Sequence, residues 1–438
     1  MCQTEGPPPP GAHGHLEGRF IRIVGIHYAP DQTGNAPYTT LMAEAIAAAG
    51  AEVEVVTGVP HYPSWTVGPS YRRGLRWIER NGSIRVVRVR HSVPNPPRTL
   101  GRAIMDASFF GVALPTISGR RADATIAVTP ALAPVAAALA GRRGRPVGAL
   151  VQDLTGNAAA QSGTSSAVLG RAIARAEYRL LGACDLVGVV SRDFGTILQS
   201  QGIDLDRIID LPNCTHVSAS QRSKREARRR LGWDENRFLA VYTGTIGRKQ
   251  GLEMIVDTAR HFPVDSNIEF LLVGAGGERP RLEELSRGIS TLRFVDSVAA
   301  EDYPDVLAAA DALLLTERAG VREMSLPSKL TSYAIAHRPI VASVEPDGIT
   351  GRVLIQRGAA LVTPAGDARA LAAGVQSIRD NAALATALAD ASASLRDPEL
   401  TVEMAAARYC DFAARLVRLY AQDRKAASFA STANLPSS

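Results

Sequence analysis

Phe238-Leu239-Ala240-Val241-Tyr242-Thr243-Gly244-Thr245-Ile246-Gly247-Arg248-Lys249 is the stretch on which the fold turns. It reads as an apolar β-strand, Phe238 to Thr243, that ends in a glycine turn. The same unit recurs on its C-terminal side, where a strand at Ile268 to Val273 runs into Gly274-Ala275-Gly276-Gly277. Further strands are expected at Leu292 to Val295, Ala312 to Leu315, Pro339 to Ser343 and Ala359 to Val362, with stretches of helical length between them. Strand–helix alternation of this kind specifies a parallel, doubly wound sheet.

Working back toward the N-terminus, the alternation is interrupted at Pro212-Asn213-Cys214 and by a polar, strongly basic stretch from Ser218 to Arg230. Before that break it is present again. Strands are expected at Phe20 to Tyr28, Glu52 to Thr57, Ile84 to Val89, Ala124 to Val128, Val147 to Gln152, Leu186 to Val190 and Ile208 to Leu211. Helices are expected at Thr39 to Ala49, Ala167 to Leu181 and Asp193 to Gln201. Two series separated by a pause predict two α/β domains, at 19–215 and 216–400. A helix within 401–425 has no strand to follow and is expected to pack back on the first domain. Residues 1–18, with four consecutive prolines, and 426–438 are expected as disordered or flexible tails.

Composition narrows the function classes. Hydrophobic residues make up 46% and charged residues 21% of 438, as in an ordinary globular protein. No apolar run approaches the roughly 20 residues of a membrane span, and the N-terminus lacks the apolar segment of a secretory signal. The four cysteines, Cys2, Cys184, Cys214 and Cys410, are dispersed, which excludes a CxxC zinc site and a disulfide framework and fits a cytoplasmic protein. The formal charge of +6 suits an anionic small substrate, a membrane surface or nucleic acid equally.

In a doubly wound sheet ligands bind where strands end and helices begin. The second half offers three such turns: Gly244 to Lys249, Gly274 to Gly277, and Ser325-Leu326-Pro327-Ser328-Lys329, which opens a helix. Together they form an expected anion site. Lys329 falls in the first turn of its helix, where the positive dipole end disfavours a cation unless a phosphate lies beside it. Two of the only four lysines in the chain, Lys249 and Lys329, stand in these turns.

The first half has one comparable turn, Ala29 to Pro37, without GxGxxG and without an acid closing the next strand, so a dinucleotide site is not expected there. Gly34 and Asn35 in that turn are candidates for touching a phosphate or a sugar. His61, in Pro60-His61-Tyr62-Pro63-Ser64-Trp65, is available for proton transfer or serves structure. Asp153, after Val147 to Gln152, either accepts a proton from an attacking hydroxyl or caps the following helix. The DxD at Asp204-Leu205-Asp206 reads as a solvated turn, and no metal site is expected. Thr99 to Ser118 carries Leu100, Ile104, Phe109, Phe110, Leu114 and Ile117 between Arg98, Arg102, Arg120 and Arg121; it can lie on an anionic bilayer or pack on the sheet.

The ordered set of these motifs resembles GT-B-fold retaining glycosyltransferases, in particular the colanic-acid-type exopolysaccharide enzymes. The resemblance is carried by Ile26-His27-Tyr28-Ala29-Pro30 with Thr33-Gly34, Pro60 to Trp65, Gln152-Asp153-Leu154 and Leu211-Pro212-Asn213. It continues through Thr243 to Leu252, Leu272 to Gly276, Leu326 to Leu330, and Arg338 to Ser343. It implies two Rossmann-like domains facing across a cleft, the first taking the acceptor and the second the nucleotide-diphosphate sugar. Gly244, Arg248, Lys249, Gly274, Gly276, Glu323, Ser325, Pro327, Ser328, Lys329 and Leu330 would hold the donor, while His61 and Asp153 would lie near the acceptor hydroxyl and the anomeric carbon. The partners implied are a UDP- or GDP-sugar and a carbohydrate or lipid-linked acceptor. No nucleic acid, metal or cofactor is implied; a peripheral contact at the inner face of the plasma membrane is one of the two readings of the Thr99 to Ser118 stretch.

This chain departs from the family at a pair of glutamates spaced eight apart, whose positions here are Met324 and Ser332; Glu317 and Glu323 are acidic neighbours. The Pro-Glu that follows the family's Asp-Leu is replaced by Thr155-Gly156. Those departures keep two alternatives open, a non-catalytic sugar-nucleotide-binding partner of another transferase and a GT-B-like sugar-nucleotide epimerase.

Overall fold

The computed structural model describes residues 16–31, 34–62, 65–95, 99–154, 167–214, 217–322, 327, 329–395 and 401–433. They fall into two compact units. The first contains the described residues up to 214 together with the C-terminal helix from Val402, and the second those between 217 and 401.

The first unit is built on eight strands: β1 (Phe20–Gly25), β2 (Glu52–Gly58), β3 (Arg76–Asn81), β4 (Ile84–Val89), β5 (Ala124–Val128), β6 (Val147–Val151), β7 (Leu186–Val189) and β8 (Ile208–Asp210). Their order in the sheet is β3-β4-β2-β1-β5-β6-β7-β8, and every pairing is parallel except β3 with β4. Both faces are covered, so successive residues of one strand enter different cores. Ile21 and Ile23 of β1 meet Tyr38, Met42 and Ile46 of helix α1 (Ala36–Ala48). Val24 joins Val56, Val87 and Phe109 on the opposite face.

Helix α2 (Thr99–Gly119) lies on that second face and buries Met105, Phe109, Ala113 and Ile117 at helical spacing. Leu100–Gly119 is long and apolar enough to cross a membrane by length and composition, contrary to the reading that no run in the chain qualifies. Arg102 and Asp106 break the run in sequence but do not offset the apolar residues around them. One stripe of the helix is buried, and its outer side is not: Leu100 is 74% and Ile104 50% exposed. At the far end of α2 the buried Arg22 donates to the Ile117 and Arg120 carbonyls while pairing with Glu54, which satisfies the terminal carbonyls of the helix without leaving a buried charge alone.

The C-terminal helix, Val402–Ala433, belongs to this unit. Phe412 and Leu416 lie over Gly148 of β6, where an added Cβ would come within 2.9 Å of both side chains. The helix continues past the expected end at 425, because the segment from Ala426 to Ala433 is rich in alanine and lacks glycine and proline. Order also begins earlier than expected. Leu16 is fully buried in the core, and the Gly18 amide donates to the Gly50 carbonyl.

The second unit holds β9 (Phe238–Thr243), β10 (Ile268–Val273), β11 (Leu292–Val295), β12 (Ala312–Thr316), β13 (Ile340–Val344) and β14 (Leu361–Pro364). All are parallel, in the order β11-β10-β9-β12-β13-β14. Leu239 and Val241 of β9 enter one core, Ala240 and Tyr242 the other. The basic stretch read as a pause is a helix in this unit, Lys224–Leu231, started by a Ser223–Glu226 capping box. Its Arg228 is buried and donates to the Ala309 carbonyl and to Asp311. The DxD forms a short 3-10 turn, Leu205–Arg207.

Candidate functional site

In the second unit the first two glycine turns lie against each other. The Gly244 amide donates to the Val273 carbonyl at 2.9 Å and the Ile246 amide to the Ala275 carbonyl at 2.8 Å. The approach admits no side chain, since a Cβ on Gly274 would stand 2.0 Å from the Gly244 oxygen. Gly244 itself has φ of 121°, open to glycine and strained for other residues. The turn then continues through a 3-10 segment, Arg248–Gln250, to Gly251, which has φ of 58° and packs on the backbone of Arg318. Thr316 Oγ1 donates to the Gln250 carbonyl at 2.6 Å and the Arg318 amide to the Lys249 carbonyl. The C-terminal ends of β9, β10 and β12 are therefore tied into one rigid edge.

Lys329 completes this edge. It opens the helix Lys329–Ala336, and its Nζ stands 3.7 Å from the centroid of the Tyr242 ring and 3.5 Å from the place a Gly244 Cβ would occupy. The ammonium is buried, and Nζ has no hydrogen-bond partner among the described residues. Burial pushes its pKa down to about 7, against the pull of Glu317 and assisted by Lys249. Glu317 is also buried and accepts a hydrogen bond from Thr350 Oγ1 at 3.0 Å; desolvation raises its pKa. An orphaned buried cation beside close-packed glycine turns is a built place for an anion, because such a group costs free energy until it is paired.

The other expected donor contacts are placed less uniformly. Arg248 is exposed and pairs with Glu278 at 3.2 Å. The Leu330 side chain lies in the core, and its amide donates to the Pro327 carbonyl. Glu323, Met324, Ser325, Leu326 and Ser328 lie outside the described residues. At Ser332, the second glutamate position, a buried serine bonds to Tyr303, whose hydroxyl also meets Thr243 Oγ1 at 2.8 Å. Sequence reasoning missed Tyr242 and this Tyr303–Thr243–Tyr333 network, since an aromatic in an apolar strand or helix carries no local sign of polar duty.

In the first unit, Gly34 (φ of 68°) approaches the Tyr62 ring, and Asn35 Nδ2 donates to the Thr129 carbonyl at 2.8 Å. Thr129 Oγ1 donates to the Asp153 carbonyl, which links Asn35 and Asp153 through one residue. Asp153 is half-buried just beyond β6, and its carboxylate accepts from the Leu154 amide. His61 stands elsewhere on the same sheet edge, beyond β2, with β1 and β5 between them. Its Nδ1 contacts the Val59 carbonyl at 2.8 Å, and its ring lies 5.1 Å from His27, 5.6 Å from Trp65 and 4.9 Å from His91. Burial, then His27, lowers the His61 pKa and keeps the ring neutral. His27, Asp31 and His61 each bring one polar atom within 4.8 Å of the others, a geometry that could hold a metal ion and that the separated positions in sequence did not suggest.

Comparison with known proteins follows the division of the chain. Residues 33–214 match the family described as glycosyl transferase 4-like domain, and residues 223–394 match glycosyl transferases group 1. The chain is similar to the colanic acid biosynthesis glycosyl transferase WcaI of Escherichia coli (strain K12), at 32% identity over 327 residues, which is 71% of this chain and 80% of WcaI. Among solved structures it resembles sucrose-phosphate synthase of Thermosynechococcus elongatus, with a TM-score of 0.69, 19% identity and coverage of 93% of this chain and 100% of that one. It also resembles Anabaena Alr3699/HepE in complex with UDP-glucose, with a TM-score of 0.65, 16% identity and coverage of 90% and 99%. With two parallel-sheet α/β units, both family matches and a relative at this identity over four fifths of its length, the chain belongs to the group 1 glycosyltransferases of GT-B fold.

Proposed function

We propose that this enzyme transfers a sugar from a UDP- or GDP-sugar to a carbohydrate or lipid-linked acceptor in the building of cell-surface polysaccharide or glycoconjugate, with retention at the anomeric carbon and without a metal or cofactor. The observation that carries the reading is the buried Lys329 ammonium, without a hydrogen-bond partner among the described residues, beside the Gly244 and Gly274 turns. A diphosphate placed there would be met by Lys329 and Lys249 and by backbone amides, and these offset charge as the leaving group departs. Donor binding of this kind agrees with the UDP-glucose held by Alr3699/HepE.

The acceptor belongs to the N-terminal unit in this reading. Asp153, half-exposed at the strand edge, serves as the base that draws a proton from the attacking hydroxyl, which requires an ionised carboxylate. His61, kept neutral by burial and then by His27, has its Nδ1 against the Val59 carbonyl and lies on the acceptor side of this reading. A peripheral membrane contact on the cytoplasmic side is assigned to the outer stripe of α2. There Leu100 and Ile104 would enter the headgroup boundary while Arg102 and Arg121 meet anionic lipid.

Hydrolysis and transfer assays over a panel of UDP- and GDP-sugars, with and without EDTA, test the proposal. Turnover that survives EDTA is expected. Nucleotide binding without turnover on any donor would favour a non-catalytic partner. Loss of activity on chelation would move attention to His27, Asp31 and His61.

A further inference from the structure

A cavity of about 420 Å³ opens in the N-terminal unit beyond the C-terminal ends of β2 and β4, beside His61, whose ring lies 4.9 Å from that of the lining residue His91. Its volume falls within the range of small-ligand sites, roughly 300–1,000 Å³. The polar side chains that line it are Tyr71, Arg72, Arg90, His91, Ser92 and Ser108.

Its charge is unbalanced. Several arginines of this sheet are paired: Arg22 and Arg85 with Glu54, Arg88 with Glu79, Arg120 with Glu52, and Arg145 with Asp123. Arg72 and Arg90 are exposed, and neither has a carboxylate partner among the described residues. Glu79 of β3, which accepts from the lining residue Tyr71 at 2.8 Å, is already engaged by Arg88. Two uncompensated guanidiniums on one cavity favour a phosphoryl or carboxylate group, which their planar forks bind with two hydrogen bonds each.

His91 adds a second, independent feature. It is 6% exposed, its Nδ1 lies 3.4 Å from the Val89 carbonyl, and its Nε2 is buried with no hydrogen-bond partner among the described residues. With Nδ1 as the donor, Nε2 is an acceptor that a ligand hydroxyl or water can satisfy. The cavity is held in shape, since the Ser92 amide donates to Ser108 Oγ of α2 at 2.8 Å.

The geometry points to this cavity as the subsite for an anionic sugar unit of the acceptor, a hexose bearing a phosphoryl or carboxylate group whose charge rests on Arg72 and Arg90 and whose hydroxyl reaches His91. The inference rests on the reading that the N-terminal unit receives the acceptor.

Calorimetric titration of the full chain, with saturating UDP present to fill the donor site, would compare glucose 6-phosphate, glucuronate and glucose. The charged sugars are expected to bind at least tenfold more tightly than glucose, and the Arg72→Gln/Arg90→Gln double variant is expected to lose that margin. Preference for glucose 6-phosphate assigns a phosphoryl group and preference for glucuronate a carboxylate. Equal binding of all three sugars, or an unchanged margin in the double variant, overturns the subsite. UDP binding is titrated separately on both proteins. Its absence in the wild type would refute the donor reading of Lys329, while a charge margin that needs Arg72 and Arg90 would still stand.

Discussion

Replacing Lys329 by methionine should make the protein more stable and less able to bind its donor. The ammonium is buried, and its pKa falls from 10.5 to about 7. A lysine whose folded pKa is depressed binds fewer protons in the folded than in the unfolded chain, so stability rises with pH between the two values and the penalty is greatest below the lower one. Integrating that difference gives a cost of about 4 kcal/mol at pH 7, shrinking to about 2 kcal/mol at pH 9. Methionine fills similar space without the charge, and loss of the Tyr242 cation–π contact returns about 1 kcal/mol of the gain. Calorimetric unfolding of the full chain should therefore show a net gain for Lys329→Met of about 3 kcal/mol at pH 7 that is smaller at pH 9. The same variant should bind UDP at least tenfold more weakly, since a charge-assisted hydrogen bond contributes about 1.5–3 kcal/mol. At pH 8 the wild type should take up a proton on binding UDP, seen as a binding heat that varies with the buffer, and the variant should not. A variant with unchanged stability and unchanged UDP affinity would refute the placement of an uncompensated ammonium at a phosphate site.

Three further outcomes follow from the geometry. Gly274→Ala would drive a Cβ to 2.0 Å from the Gly244 oxygen and should lower stability by about 2–4 kcal/mol, with loss of UDP binding, as read by thermal unfolding and calorimetry. Asp153→Asn keeps the size of the side chain but removes the base; transfer should fall about 100-fold or more while UDP affinity stays within twofold, and an active variant would exclude Asp153 as the base. Leu100→Glu with Ile104→Glu alters only exposed positions, so folding should be preserved while sedimentation with anionic vesicles is reduced; unchanged sedimentation would remove α2 from any membrane contact.

Much of this fold was legible because a sheet covered on both faces needs continuous apolar strands, and such runs stand out. Ile84–Val89, Ala124–Val128, Phe238–Thr243, Ile268–Val273 and Leu292–Val295 have the limits read from the chain alone. The missed strand, Arg76–Asn81, lies at the sheet edge and runs antiparallel; half of it faces water, so Arg-Trp-Ile-Glu-Arg-Asn carries no apolar run to detect. The helix Lys224–Leu231 was hidden for the opposite reason. Its largest buried side chain is an arginine, and the distant Ala309 and Asp311 help make Arg228 a core residue beside Ala227.

The site was legible to the extent that its chemistry is backbone chemistry. Gly244, Gly251 and Gly274 are required by φ or by close approach, which constrains residue type at the position itself and leaves a mark in the sequence. Lys329 was suggested by its conflict with a helix N-terminus, also a local argument. What could not be read were relations between distant residues: the Tyr242 ring under Lys329, the Thr350 hydroxyl on Glu317, and the serine–tyrosine pair where the family's second glutamate would stand. The last of these changes how that departure is understood. A glutamate lost to an exposed serine would leave a gap in the site, whereas Ser332 is buried and bonded to Tyr303, which in turn meets Thr243 at the end of β9. A carboxylate restored at 332 would have to displace that hydrogen bond and enter a buried aromatic surrounding. The serine is thus part of a repacked wall, and Ser332→Glu should weaken the protein before it could strengthen any grip on a sugar.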